Sequence, residues 1–116
     1  MKINAEKPVV SSWLRELDGA AKGGHYQNLW KKLYRMVEIP ARKRPVVNLS
    51  KIEANTKDGD KVVVPGKVLF DRKINRKVTI SAMEYSSTAL GSLKESGCSV
   101  IGIKDMVKEK GIKVIV

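Results

Sequence analysis

The sequence contains few of the residues from which active sites and metal centres are usually built. Among its 116 residues there is one histidine, His25, and one cysteine, Cys98. A single cysteine cannot form an internal disulfide, and one imidazole and one distant thiol give little support to a His/Cys metal site or a Ser-His-Asp triad. The apolar neighbours of Cys98 instead indicate a buried thiol in a reducing compartment. An enzyme is therefore the least favoured class, and we expect no cofactor.

Long apolar runs are also absent. No stretch approaches the ~20 apolar residues that a membrane-spanning helix requires, and Met1 to Glu6 lack the apolar region of an export signal. We therefore expect a cytoplasmic protein without membrane contact and without a small-molecule substrate. With 116 residues and 42% hydrophobic content, the chain is long enough for one compact domain with a modest core.

Positive charge is what the sequence has in excess. The net charge is +11 and the pI is about 9.9. Residues 22–51 hold eight Lys/Arg against one acid, and residues 61–77 hold six against one, whereas the remaining residues hold nine against ten. A surface with evenly mixed charges would not show this localisation. The two basic windows therefore indicate a polyanionic partner, and nucleic acid in particular.

Hydrophobic periodicity predicts two helices near the N-terminus. After an extended lead-in of about ten residues, Ser11 or Ser12 is expected to cap the first helix, and Gly23-Gly24 to end it. The second helix, about Tyr26 to Val37, carries one apolar stripe, with its cations on the opposite side. Aromatic residues beside cations can stack on bases, but Trp30, within the stripe, is better interpreted as a core residue.

Beyond these helices, short strands are expected to alternate with helices. Val46 to Asn48 predicts a strand, and Ser50 with Glu53 predicts a capping box for a brief helix. The remaining predicted elements are a strand at 78–83, a helix from about 86 to 97, a strand at 98–101, a helix at 103–110 and a strand at 112–116. The whole is an α/β fold: a helical arm with a basic connector at 1–45, then a compact α/β core domain at 46–116, in one structural unit.

The stretch VVVPGKVLF at the centre of the chain predicts two short buried strands joined by a tight turn. Pro65 would preset φ, and Gly66 would supply a positive φ. Lys61 and Lys67 bracket this turn, and four more cations follow in the next loop. We therefore expect a rigid turn with a basic rim.

The same stretch carries a resemblance to a known family. VVVPGKVLF, preceded by VVNLSKIEA (Val46 to Ala54) and followed by KVTISAMEYSSTA (Lys77 to Ala89), resembles the archaeal and eukaryotic large-subunit ribosomal protein L-eighteen-e family, which is related to bacterial ribosomal protein L-fifteen. The order of segments matches over nearly the whole chain. The resemblance implies a structural, rRNA-binding constituent of an archaeal large ribosomal subunit, with large-subunit rRNA and neighbouring ribosomal proteins as partners.

Charge and resemblance together predict which residues bind rRNA. Between Pro40 and Pro45, three consecutive cations stand on a stiff extended connector that phosphates can approach from several directions. The predicted rRNA-binding residues are all the Lys and Arg of the two windows: Lys22, Lys31, Lys32, Arg35, Arg42, Lys43, Arg44, Lys51, Lys61, Lys67, Arg72, Lys73, Arg76 and Lys77. Composition alone leaves open a free-standing nucleic-acid-binding module, associated with tRNA or chromatin, and an RNA-acting enzyme with a catalytic acid/base pair.

Overall fold

The computed structural model describes residues 8–23, 27–39, 43–109 and 111–116. Helices and strands alternate through most of this length. The helices are α1 (Pro8–Lys22), α2 (Gln27–Glu38), α3 (Leu49–Ala54), α4 (Ser87–Glu95) and α5 (Ile103–Met106). The strands are β1 (Val46–Asn48), β2 (Lys61–Leu69), β3 (Thr79–Tyr85), β4 (Ser99–Val100) and β5 (Ile112–Val114). The predicted α/β fold, with N-terminal helices ahead of a sheet, is confirmed.

The sheet is parallel throughout, and β2 is its centre. The strand order is β1-β2-β3-β4, and β5 also pairs with β2. One edge of β2 is shared by two partners, because β5 lies beside Lys61 to Val63 and β1 beside Lys67 to Leu69. The other edge of β2 pairs with β3 on both sides of an irregularity. Since parallel strands need crossover connections, helices come to lie on both faces of this sheet.

Two apolar clusters show which elements cover each face. Successive residues of a strand point to opposite faces, so Val62 and Val64 belong to one cluster and Val63 to the other. The first cluster includes α3, α4 and the loop between β2 and β3; the second includes α1, α2 and α5. Trp30 is 1% exposed in the second cluster, which confirms it as a core residue. The helix α2 and the β2–β3 loop therefore lie on opposite faces of the sheet.

The predicted turn at Pro65-Gly66 is wrong. One strand, β2, runs through both residues, with a bulge between Val64 and Lys67 where its pairing with β3 shifts. Gly66 does not have a positive φ; it is required because a Cβ there would stand 2.0 Å from the carbonyl oxygen of Pro45. That carbonyl accepts a hydrogen bond from the Lys67 N–H at 3.1 Å. Pro65 lies where β2 changes partner from β5 to β1, and a proline at a bulge costs the ladder little.

Two predicted helix starts are also wrong. The first helix begins at Pro8 and not at Ser11 or Ser12, since a proline fits the first helical turn, where its missing N–H is not needed. Val10, within this extra turn, is buried. The expected lead-in before residue 8 lies outside the described residues. For α3, Asn48 occupies the N-cap without a side-chain bond, so the predicted capping box does not form.

The C-terminal half follows its sequence signals closely. Ser86 caps α4 by accepting the Ala89 N–H at 3.1 Å, and Gly97 ends the helical segment at a φ of 82°. The predicted helix near residue 103 is shorter than expected and is followed by Gly111 at a φ of 68°. Cys98 is buried, as predicted. The division of the chain at residue 45 stays a prediction.

Candidate nucleic-acid interface

One basic surface lies on the exposed side of α2. The buried stripe of this helix, Trp30, Leu33 and Val37, packs on the sheet side. The predicted cations of α2 are all exposed, and among the described residues they form no ion pair: Lys31, Lys32 and Arg35. Lys43, just after this helix, is also exposed. We call Lys31, Lys32, Arg35 and Lys43 the helix surface.

The connector after α2 does not present all its cations to solvent. Arg44 is half-buried, and its Nε and Nη2 atoms donate to the Val37 carbonyl oxygen at 3.2 and 2.9 Å. That carbonyl belongs to the last turn of α2, where helical partners are missing and a positive charge is favourable. Arg44 therefore closes the helix end, while Lys43 beside it is left exposed. Arg42 lies outside the described residues, so its predicted role stays a prediction.

A second basic surface lies on the loop between β2 and β3, on the opposite face of the sheet. We call its cations the loop surface: Arg72, Lys73, Arg76 and Lys77. Lys67 lies within β2 and is half-buried, so it does not belong to this loop. The loop is held against α3 by bonds at both ends of that helix. The Asp71 carboxylate accepts from the Ser50 N–H at 3.1 Å and from the Ser50 hydroxyl. At the other end, Arg76 Nε donates to the Glu53 carbonyl oxygen at 3.1 Å.

The Glu53 side chain fixes the middle of the same loop. Its Oε2 accepts from the Asn75 N–H at 2.5 Å, and its Oε1 lies 3.6 Å from Arg72 Nη2. Lys73 and Lys77 are exposed, and within the described residues neither side chain has an ion-pair partner. Arg76 is thus held against α3 by a backbone carbonyl oxygen, whereas Arg72 makes only a long, exposed pair with Glu53. Lys73 and Lys77 stay in solvent.

Two carboxylates, Asp71 in the loop and Asp60 before β2, have hydrogen-bond partners within the chain. The Ser50 hydroxyl, with the N–H groups of Ser50 and Arg72, holds the pKa of Asp71 below its ordinary value. Likewise, the Lys113 ammonium, 2.9 Å away, and the Lys57 N–H lower the pKa of Asp60. Both acids remain ionised at neutral pH. Asp71 holds the loop in place, and Asp60 does the same for the residues that precede β2.

The other predicted contact residues are mostly engaged within the chain. Lys22 pairs with Asp18 at 3.1 Å on the exposed side of α1, and Lys61 pairs with Glu109 at 3.2 Å. Lys51 donates to the carbonyl oxygen of Val116. Exposed pairs such as that of Lys22 are weak, so a phosphate can still compete for those cations. The structure therefore brings only part of the predicted set onto two surfaces, and Lys22, Lys51 and Lys61 lie on neither.

One feature near the helix surface was missed at the sequence level. Tyr34 is half-buried at the boundary between α1 and α2, where it lines two adjoining clefts of about 280 Å³ each. Arg15 lines one cleft, and Lys31 with Arg35 lines the other. The signal was present in the sequence, because Tyr34 stands four residues after Trp30 and directly before Arg35. Because Tyr34 belongs to the apolar stripe of α2, the sequence does not distinguish it from a core residue. Only the packing shows that its ring lies at the margin of the stripe.

Neither a metal site nor a membrane span is found in the described part of the chain. Among residues 8–23, 27–39, 43–109 and 111–116, no three His, Cys, Asp or Glu side chains come together as a metal site would require. Over the same ranges, no helix has the length and apolar character needed to cross a membrane.

Comparison with proteins of known name identifies the family. A protein of Thermoplasma acidophilum named large ribosomal subunit protein eL18 is 42% identical over 88 residues, which are 74% of this chain and 73% of the relative. The chain belongs to the eL18 family. An eL18 of Methanothermobacter thermautotrophicus is 34% identical over 98% of this chain and 97% of its own, and one of Pyrobaculum aerophilum is 29% identical over 97% and 93%.

Family membership confirms the resemblance found in the central segments. The matched eL18 proteins are archaeal, as that resemblance implied. No family model matches the chain. The fold and the two basic surfaces described above are thus those of an archaeal-type eL18 protein.

Proposed function

We propose that this eL18-family protein is a structural constituent of the large ribosomal subunit, where it binds and stabilises folded rRNA. The observation that carries the proposal is the pair of basic surfaces on opposite faces of one sheet. Each surface holds cations that the described fold leaves without partners, and the relatives are named as large ribosomal subunit proteins. Surplus cations on a rigid scaffold are the electrostatic footprint of a nucleic-acid-binding protein.

The helix surface and the loop surface act by the same chemistry. Each lysine or arginine neutralises a phosphate and releases counterions, and arginine can also fork across two phosphate oxygens or stack on an exposed base. Specificity comes from matching the fixed positions of these cations to the shape of folded rRNA. Because the surfaces lie on opposite faces, one molecule can bridge two rRNA segments. Its role is to lock their relative position during subunit assembly.

The partners in this proposal are large-subunit rRNA and neighbouring ribosomal proteins. The location is the ribosome in the cytoplasm. No catalytic step, cofactor, membrane or small-molecule substrate forms part of it. The free-standing nucleic-acid-binding module remains the competing hypothesis, and it is separated from the ribosomal one by where the protein is found.

Sedimentation of native cell extract tests the proposal. Sucrose gradients at moderate and high salt, followed by immunoblot, should show this protein with the large subunit even after a high-salt wash, because an extensive bridging surface is not held by charge alone. Nuclease treatment of the extract should release it. Recovery at the top of an untreated gradient, or association lost at high salt, would contradict the proposal and favour the free-standing module.

Charge reversal tests the surfaces themselves. The triple variant Lys31→Glu, Lys32→Glu, Arg35→Glu should incorporate into large subunits at a small fraction of the wild-type level. A matched control reverses three exposed lysines outside both windows: Lys94→Glu, Lys104→Glu and Lys108→Glu. Both variants change the net charge equally, so only the first should fail if position matters. Equal incorporation of the two variants would mean that the helix surface is not an rRNA contact.

A further inference from the structure

The cleft between α1 and α2 combines a flat ring, free cations and a size suited to one small group. It is lined by Asp18, Ala21, Lys22, Lys31, Tyr34, Arg35 and Glu38, and it measures about 280 Å³. That volume is at the lower end of small-molecule sites, so it accommodates a single flat group and not a large ligand. The ring of Tyr34 forms one wall, and the small side chain of Ala21 leaves the space open.

The helical spacing of α2 fixes how these groups are presented. Lys31 and Arg35 stand three residues before and one residue after Tyr34, so Lys31 shares its face and Arg35 flanks it. Both cations are exposed, and within the described residues neither forms an ion pair. The hydroxyl of Tyr34 likewise has no hydrogen-bond partner among those residues. An occupant with a π-face and an attached anion meets complementary groups on this helix.

The acidic residues of the cleft define its second recognition element. Asp18 is held by Lys22 at 3.1 Å, and Glu38 stands one turn beyond Tyr34 on α2. Carboxylates repel phosphate but accept hydrogen bonds from the amino groups and ring N–H groups of bases. A phosphate therefore fits near Lys31 and Arg35, and a base edge fits toward the carboxylates.

We infer that this cleft receives one unstacked rRNA nucleotide, its base on the ring of Tyr34 and its phosphate on Lys31 and Arg35. The inference rests on the proposed function and gives it a definite contact, because sequence-tolerant RNA recognition commonly uses aromatic rings beside cations. It also assigns the two aromatic residues of α2 different roles. Trp30 is buried in the core, and Tyr34, four residues later, faces the RNA.

Substitution at Tyr34 tests the ring directly. Affinity for an in vitro transcript of archaeal large-subunit rRNA is measured for wild type, Tyr34→Phe and Tyr34→Leu. Leucine keeps apolar contact with the core margin but removes the flat ring, so it should weaken binding about 5- to 150-fold, the equivalent of one stacked base. Phenylalanine should retain most of the affinity. Thermal unfolding of each variant shows whether the fold is intact.

The outcomes separate the inference from the proposed function. If wild type does not bind the transcript, the proposed function fails. If wild type binds and Tyr34→Leu binds equally well, only the nucleotide cleft is overturned. If Tyr34→Leu loses affinity solely because it unfolds, its melting curve will show this. In that case a photo-crosslinker placed at position 34 in assembled subunits tests whether the cleft contacts rRNA. Crosslinks to rRNA support the inference, and crosslinks only to a protein overturn it.

Discussion

On the helix surface, the cations of α2 stand on a helix that its own buried stripe holds in place. On the loop surface, the cations belong to a segment that one of them helps to hold in place, because Arg76 donates to the Glu53 carbonyl oxygen. A second difference separates adjacent lysine and arginine residues. In Lys43-Arg44 and in Arg76-Lys77, the arginine is half-buried on a backbone carbonyl oxygen and the lysine is exposed.

This comparison shows that a count of charges overstates the charge that the described fold leaves free in solvent. Arginine is the residue suited to bind backbone carbonyl oxygens at helix ends, because its planar fork carries several donors in fixed geometry. Lysine, with a flexible stem and a compact ammonium, is easily left in solvent. Arginine thus closes the helix end, while the adjacent lysine stays in solvent, where the proposed function has it meet phosphate.

The largest expected effect comes from disrupting the close approach of Gly66 in β2 to the Pro45 carbonyl group. In Gly66→Ala, the new Cβ meets the Pro45 carbonyl oxygen at 2.0 Å, and a backbone atom cannot rotate away. We expect a loss of about 3 kcal/mol in the free energy of unfolding, at the upper end for overpacking. Gly91→Ala is the control, since nothing lies within 4 Å of its Cβ position in helix α4. That change should stabilise by about 0.5–1 kcal/mol. Urea unfolding measures both, and an unaltered Gly66→Ala protein would contradict the close approach described.

The next largest effect on stability should distinguish Arg76 from its neighbour Lys77. Arg76→Met removes the charge-assisted bond to the Glu53 carbonyl oxygen and should cost about 1–2 kcal/mol of unfolding free energy. Lys77→Met, next to it, should change stability by less than about 0.5 kcal/mol. Binding of large-subunit rRNA should show the reverse order, with Lys77→Met the weaker binder under conditions where both variants are folded. Equal stabilities would remove the distinction between the two cations.

A smaller effect should appear on acidification, and only on the loop surface. Since the folded-state pKa of Asp71 is lowered, its contribution to stability is present above its unfolded pKa, near 3.8, and is lost as pH falls through the folded value. Protonation should release the loop from Ser50, whereas the described contact at the end of α2 is made by Arg44 on the Val37 carbonyl oxygen. Hydrogen exchange at low pH should therefore accelerate at the Ser50 N–H before the N–H groups of α2. Asp71→Asn should abolish the difference.

Much of this architecture could be predicted from local patterns. The stripe of α2 and the helix that starts near residue 86 are local signals, and both predictions are confirmed. The failures at Gly66 and at the start of α3 share one cause, which is that a distant segment decided the outcome. Gly66 is explained by Pro45, and Ser50 and Glu53 are occupied by the loop rather than by each other. Sequence spacing carries no information about such contacts.

The candidate site shows the same limit. Each charge window contributes exposed cations to one of the two surfaces, but sequence reasoning assigns Lys43 and Arg44 equal weight. Only the position of the Val37 carbonyl at the end of α2 separates their roles. Tyr34 and Trp30 have equivalent places in the apolar stripe, and only packing shows that one is buried and the other half-buried.

The salt dependence of rRNA binding tests the central claim most directly, namely that the lysines left free by the fold are the ones that meet phosphate. The variant Lys43→Gln, Lys73→Gln, Lys77→Gln is compared with a control of equal charge, Lys94→Gln, Lys104→Gln, Lys108→Gln. The first should bind large-subunit rRNA with unchanged stability and with a salt slope smaller by roughly two to three, because each removed lysine that neutralises a phosphate reduces the slope by about one. The control should keep the wild-type slope. An unchanged slope in the first variant, or an equal decrease in both, would contradict the account.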